Sequence, residues 1–323
     1  MDANPLCYFC FSRNGPGRVC AHTYLAHLHE ATQPRLCRIH VNNTSTDSKS
    51  EFLANTKANR FDNSIYTLSR LSEYYKHRPL ETPNSSTHSP LTWAFNMDGS
   101  DWDHVYNRTP ENAKKFNLGM NATSDAQMRT QTYPFATELA DISQRCVADN
   151  RVLIVDVGGG NGAVMKNVRQ TFPQLQGDII VEDLSGAVEQ GNADASLATL
   201  NIQSKEYDFR KPQPVQNAAV YYIGNILHSW PDEGCVAILK NQAAAMGEDS
   251  KLLIFELIMP KDIDISYINV FAVDLVFWQQ GGSVRTVEGY TEILEKAGLE
   301  FVKVWPSKFG PIGVIEARLR RSG

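Results

Sequence analysis

The stretch Val152-Leu-Ile-Val-Asp-Val-Gly-Gly-Gly-Asn-Gly-Ala163 constrains the fold of this chain more than any other. An apolar run that breaks into clustered glycines predicts a buried parallel strand feeding a tight turn and then a helix. Glycine lacks a Cβ, so the backbone of such a turn approaches a ligand closely and adopts positive φ where needed. A second apolar run, Asp178-Ile-Ile-Val-Glu-Asp183, ends on a carboxylate about one βαβ unit later. There it would meet a ribose hydroxyl. The two runs together predict a site for a nucleoside-containing cofactor.

From about residue 125 the pattern alternates. It predicts helix 125–147, strand 152–157, helix 162–172, strand 178–183 and helix 186–191. Strand 218–224, helix 232–246, strand 251–257 and helices near 267–280 and 286–297 follow. The runs 300–305 and 312–318 flank Gly310-Pro311 and read as an antiparallel pair. Strands alternating with helices give an α/β, doubly wound, mostly parallel sheet with ligands at the carboxyl ends of its strands. Residues 22–61 read as two helices, a polar turn and a strand, the outline of a winged helix. Residues 79–90 form a surface loop by composition, and 91–106 are rich in aromatic residues. The expected division is residues 1–124 as an N-terminal dimerisation and substrate-lid region and 125–323 as the cofactor-binding domain.

Charge narrows the partners. Residues 1–124 hold 13 Lys and Arg against 11 Asp and Glu, and the remainder holds 18 against 25. Neither part is basic enough for nucleic acid to be the main partner. No apolar run approaches membrane-spanning length, and no basic n-region precedes an apolar h-region, so a cytoplasmic protein is expected. Six cysteines in such a chain should be free thiols. Cys7, Cys10, Cys20, His22, Cys37 and His40 supply zinc-ligand residue types. Their spacing matches no standard finger, and Cys37 and His40 share a helix face with Leu36, so no metal is expected.

Gly158-x-Gly160-x-x-Ala163 formally matches a dinucleotide fingerprint, but S-adenosylmethionine sites use a nearly identical loop. Asp156, at the strand end before the glycines, suits the positively charged methionine moiety better than a pyrophosphate. The strand at 218–224 leads into Asn225-Ile-Leu-His228-Ser-Trp-Pro-Asp-Glu233, and Glu256 ends the next strand. A phenol has a pKa of about 10 and is mostly protonated at neutral pH. An imidazole beside the methyl group can take that proton, and a carboxylate on its other nitrogen fixes the tautomer. His228 and Glu256 fit those roles; a surface-capping histidine is the alternative.

The loop at 155–162, Glu182-Asp183-Leu184, Tyr207-Asp208-Phe209, the segment from His228 to Glu233, Glu256 and Gly281-Gly-Ser-Val-Arg-Thr286 form an ordered set of motifs. Through it the chain resembles the plant and fungal small-molecule O-methyltransferases. The likeness implies a class I methyltransferase, Rossmann-like sheet preceded by a shortened helical winged-helix domain that serves dimerisation and substrate enclosure. It implies S-adenosyl-L-methionine in contact with Gly158, Asp183, Asp208 and Phe209, with His228 and Glu256 catalytic; the loop reading adds Asp156, Gly159 and Gly160 to the cofactor site. The chain departs from the family at Gly224, where Lys or Arg is usual, at Ser229 for Asp, and at Val284 for a second glutamate. A shortened N-terminus implies a weakened homodimer.

Helix 267–280 sets Val270, Phe271, Asp274, Phe277 and Trp278 on one face. Asp274 would hold an acceptor hydroxyl or, equally, bond a buried backbone amide. With Trp93, Phe95 and Trp102 opposite, the pocket suits a flat aromatic or polyketide-like secondary metabolite. Three other readings stand beside methyl transfer. One is a cyclase or pericyclase that holds the methyl donor without transferring it. Another is an NAD-dependent oxidoreductase, and the last is a DNA-binding regulator.

Overall fold

The computed structural model describes residues 63–113, 116, 126–262 and 267–320. The chain divides into two compact units, residues 1–51 and 52–323, and every described residue lies in the second. The expected winged helix at 22–61 and the cysteine and histidine cluster from Cys7 to His40 lie outside the described residues.

Seven strands make one sheet: β1 (Ile154–Val157), β2 (Ile179–Asp183), β3 (Ile202–Glu206), β4 (Val220–Gly224), β5 (Lys251–Leu257), β6 (Leu299–Pro306) and β7 (Ile312–Leu319). Their order is β3-β2-β1-β4-β5-β7-β6. The first five are parallel, and β7 runs antiparallel to both β5 and β6. A parallel sheet must cover both faces, which is why β1 and β4 are buried at every position. Val155, Val157, Tyr221 and Ile223 pack on one side with Ile238 and Leu239 of the helix Asp232–Ala243 and Ile293 of Val287–Lys296. Ile154, Val220 and Tyr222 pack on the other with Val164, Met165 and Val168 of the helix Ala163–Thr171. The strand order reverses between β1 and β4, so a crevice opens at their carboxyl ends.

Two elements differ from expectation. The single helix expected over 125–147 is three helices, Ala126–Thr132, Phe135–Glu138 and Ala140–Ala148. Pro134 lacks an N–H and restricts Tyr133, which separates the first two. The strand β3 carries too little apolar character to announce itself, since only Ile202 of its five residues is buried at this sheet edge. The polar segment 79–89 is a loop, as expected. It ends where Ser89 caps the helix Pro90–Ala94 and Thr92 bonds back to the Ser89 amide. No described helix is long and apolar enough to cross a membrane.

Candidate active site

The glycine loop follows β1 directly. Gly158 has φ +68°, and a Cβ there would lie 2.3 Å from Ile226 Cδ1. A Cβ on Gly159 would sit 2.5 Å from Asp156 Oδ2 and 2.8 Å from Val181 Cγ1. A side chain at Gly158 would be strained by the positive φ, and one at Gly159 would force Asp156 and Val181 to move. The Gly158 and Gly159 amides donate to the Glu182 carbonyl at 2.7 and 3.0 Å, tying the loop to β2. The Gly160 amide donates to Asp183 Oδ2 at 2.8 Å, and the Leu184 amide to Asp183 Oδ1 at 2.7 Å. Burial raises the Asp183 pKa, while these two amide bonds pull the other way.

At the end of β4 the chain turns sharply. Gly224 is followed by Asn225 at φ +58°, a left-handed conformation that asparagine tolerates better than most residues. The turn aims three successive amides at one carboxylate. Ile226, Leu227 and His228 donate to Glu256 Oε1 at 2.9, 2.8 and 3.4 Å. Glu256 Oε2 lies 2.5 Å from His228 Nδ1. The carboxylate is fully buried at the end of β5. It thus fixes both the backbone that carries the histidine and the imidazole itself. With the proton on Nδ1 donated to Glu256, Nε2 keeps its lone pair. The opposite ring face stacks on Phe277, centroids 3.9 Å apart and planes 21° off parallel.

Arg285 completes the support. Its guanidinium donates to the Leu227 and Trp230 carbonyls at 2.9 and 2.8 Å and to Asp232 Oδ1 at 2.8 Å. A Cβ on Gly282 would be 2.2 Å from the His228 carbonyl oxygen, and one on Gly281 would be 2.3 Å from that of Ser85. The late glycine motif is where a second loop packs directly beneath the histidine. Spacing alone suggested the motif but not what it touches.

A cavity of about 380 Å³ joins the two strand ends. Gly158, Gly159, Gly160, Asp183 and Phe209 line one part, His228, Ser229 and Phe277 another, and Trp102, Tyr106, Phe116 and Trp230 a third. Trp230 meets Trp102 and Phe209 edge-on at 6.0 and 5.9 Å, so the three rings form one aromatic wall. A Gln280 Nε2 bond to Tyr106 Oη at 3.0 Å and a Leu91 amide bond to the Gln279 carbonyl at 2.9 Å hold that wall in place.

Other expected residues stand elsewhere. Asp156 does not line the cavity; it lies behind Gly159, 1% exposed, with neither carboxylate oxygen hydrogen-bonded. Its side chain follows the strand's alternation onto the face of Ile154, and burial pushes its pKa up to about 7. Asp208 is also outside the lining. Burial raises its pKa, but the fork of Arg210 at 2.9 and 3.1 Å outweighs that and leaves it lowered. Trp93 packs against Tyr74 and lies under Arg70, away from the cavity. Trp278 does not line it either, because the helix Ile268–Trp278 presents Val276 and Phe277 there. Asp274 takes the structural alternative, accepting the Val284 amide at 2.7 Å. Val284 itself is buried with Val270 and Phe277.

Arg129 is among the cavity residues that the sequence reading missed. Arg129, on the helix Ala126–Thr132, is 7% exposed and lines the cavity beside Gly224. Nothing in the local sequence of that short helix marks it as a site residue.

Comparison with known proteins agrees with this geometry. A family model described as an O-methyltransferase domain matches residues 90–300. The O-methyltransferase hmp5 of Hypomyces subiculosus is 31% identical over 257 residues, which are 78% of this chain and 62% of that protein. The chain thus spans less than two thirds of that relative's length. A solved structure described as a pericyclic reaction enzyme matches with TM-score 0.74 and 25% identity, over 83% of this chain and 68% of that one. OxaC, solved in complex with SAH and oxaline, matches with TM-score 0.73 and 26% identity, over 84% and 68%. With two strand-end motifs converging on one cavity and the family model covering most of the chain, this protein belongs to the O-methyltransferase domain family.

Proposed function

We propose that the chain binds S-adenosyl-L-methionine and methylates a hydroxyl of a small aromatic or polyketide-like secondary metabolite. The observation that carries the reading is the His228–Glu256 pair, positioned by three backbone amides and opening onto the cavity of the glycine loop. The residues fit the cofactor. A Cβ on Gly158 would project among the cavity residues Ile226 and Phe209, Asp183 stands at the end of β2 for a ribose, and Phe209 offers an aromatic face to a base. When bound, S-adenosylmethionine supplies an electrophilic methyl group on a sulfonium.

The protein's part is to place and deprotonate the acceptor. His228 Nε2 takes the hydroxyl proton as the oxygen attacks, and Glu256 stabilises the imidazolium through the Nδ1 proton. Phe277, Trp102 and Trp230 exclude water and present flat apolar faces to an aromatic skeleton. Asp156 and Asp208 act behind this lining, Asp208 by holding Arg210 and Asp156 by backing the glycine loop. Residues 1–124 would supply the lid and the dimer contacts, and 125–323 the cofactor domain. Trp93, Asp274 and Trp278 have no place in the acceptor site.

The likeness to a pericyclic reaction enzyme favours a second reading, in which the cofactor is held but not consumed. The test is to incubate the protein with S-adenosylmethionine and a panel of hydroxylated polyketides and follow product mass. Stoichiometric release of SAH with a product one methylene heavier, lost in His228→Ala, supports methyl transfer. An isomerised product of unchanged mass with intact cofactor would favour the second reading.

A further inference from the structure

Arg129 has an unusual environment. Its guanidinium is buried, its Nε has no hydrogen-bond partner, and its Cζ lies 5.3 Å from the centroid of the Phe255 ring. A Cβ built on Gly224 would come within 2.8 Å of Arg129 Nη1 and 3.3 Å of its Cζ. The absent side chain at the end of β4 is what admits the guanidinium. The departure noted at Gly224 is therefore not a loss of cationic charge from this corner of the cavity. The charge arrives from the helix Ala126–Thr132 instead.

An unpaired buried guanidinium is costly unless a ligand supplies an anion. The facing protein groups are few. Asp156 and Tyr222 are its electrostatic neighbours, and neither makes a hydrogen bond to it. Among the described residues that line the cavity, Arg129 is the one Lys or Arg. The cavity also has a direction. Asp183, Leu184 and Phe209 lie on the β2 side of the switch point, suited to ribose and adenine, whereas Gly224 and Arg129 lie on the β4 side. The other end of S-adenosylmethionine is an amino acid with one carboxylate.

We infer that Arg129, entering through the gap at Gly224, is the carboxylate clamp for the methionine moiety of the cofactor. The inference rests on the proposed cofactor but not on methyl transfer, and it holds equally for the second reading. A guanidinium matches a carboxylate with a two-pronged, charge-assisted bond, and burial strengthens it.

Calorimetric titration of the full chain tests this with two ligands that differ only in the α-carboxylate: S-adenosylmethionine and its decarboxylated analogue. The native protein should prefer the first. Arg129→Met should weaken S-adenosylmethionine roughly 10- to 100-fold, the range of a charge-assisted hydrogen bond. The analogue, which gains a net positive charge, should bind as before or more tightly. Arg129→Lys should keep part of the preference. Should Arg129→Met not fold, Gly224→Ala pushes on Nη1 with the arginine retained and should narrow the preference severalfold. Equal weakening of both ligands would make Arg129 structural, a neighbour of Asp156 only, and overturn the inference. Unchanged S-adenosylmethionine affinity in Arg129→Met would overturn it as well. Failure of the native protein to bind S-adenosylmethionine is a separate result, which overturns the cofactor reading itself.

Discussion

Along β1 and β2 the cavity is made of backbone; along β4 and β5 it is made of side chains. On the first side, Gly158 and Gly159 leave no room for a Cβ, and the amide of Gly160 is held by Asp183. On the second side, Glu256 gathers three amides and an imidazole, Arg285 pins two carbonyls, and Arg129 fills the space over Gly224. Backbone surfaces suit a ligand that is the same in every turnover. Side chains suit the proposed reacting end, where a proton would move and an acceptor would be fitted. Substitutions in the glycine loop and at the His228–Glu256 pair should therefore separate cofactor affinity from turnover.

The largest expected effect is at His228. His228→Ala should lower the methylation rate by about 10²- to 10⁴-fold, the usual contribution of a positioned base. Cofactor affinity by calorimetry should stay within about threefold, because the residues proposed to hold the cofactor, the glycine loop, Asp183 and Arg129, are left in place. A matching loss of affinity would erase the contrast between the two sides. Glu256→Gln comes next, with turnover down about 10- to 10³-fold. The amide can still accept from Ile226 and Leu227, but it no longer fixes the imidazole as a base.

Gly159→Ala should do the reverse. Its Cβ would meet Asp156 and Val181 within 2.8 Å, so the loop must move. Cofactor affinity should fall about tenfold or more, and stability by about 1–3 kcal/mol, measured by urea denaturation. Native kcat at saturating cofactor should survive in part.

A further effect is a pH dependence of stability rather than of turnover. Burial raises the Asp156 pKa to about 7, above its unfolded value near 4. Between those values the native state holds a proton that the unfolded state has lost. Stability from this group is thus full below about pH 4 and declines as pH rises through about 7, by roughly 2–4 kcal/mol. Asp156→Asn should flatten that part of the stability curve while leaving His228-dependent chemistry in place. An unchanged slope would mean that Arg129 keeps Asp156 ionised.

The glycine loop was legible because backbone constraints write themselves into composition. Glycine fits at Gly158 and Gly159 without strain or displacement, and a strand covered on both faces must be apolar. The pairing of His228 with Glu256 was legible too, since consecutive parallel strands deliver their ends to one crevice. Asp156 misled for a local reason: a period-two strand sends neighbouring side chains to opposite faces, and its place behind Gly159 follows from packing. The break at Pro134 and the polar edge strand β3 were likewise hidden by pattern-reading over long windows.

By itself the sequence determined the alternating α/β order, the parallel strand carrying the loop, and the chemical types at the reacting end. These are local or periodic properties, set by φ, burial and strand alternation. Tertiary structure alone decided which aromatic residues reach the cavity, why Asp274 serves a backbone amide, and where the buried cation comes from. Such facts depend on elements distant in the chain meeting in space. Arg129 and Gly224 are an example, for neither position carries its meaning until the other is seen beside it.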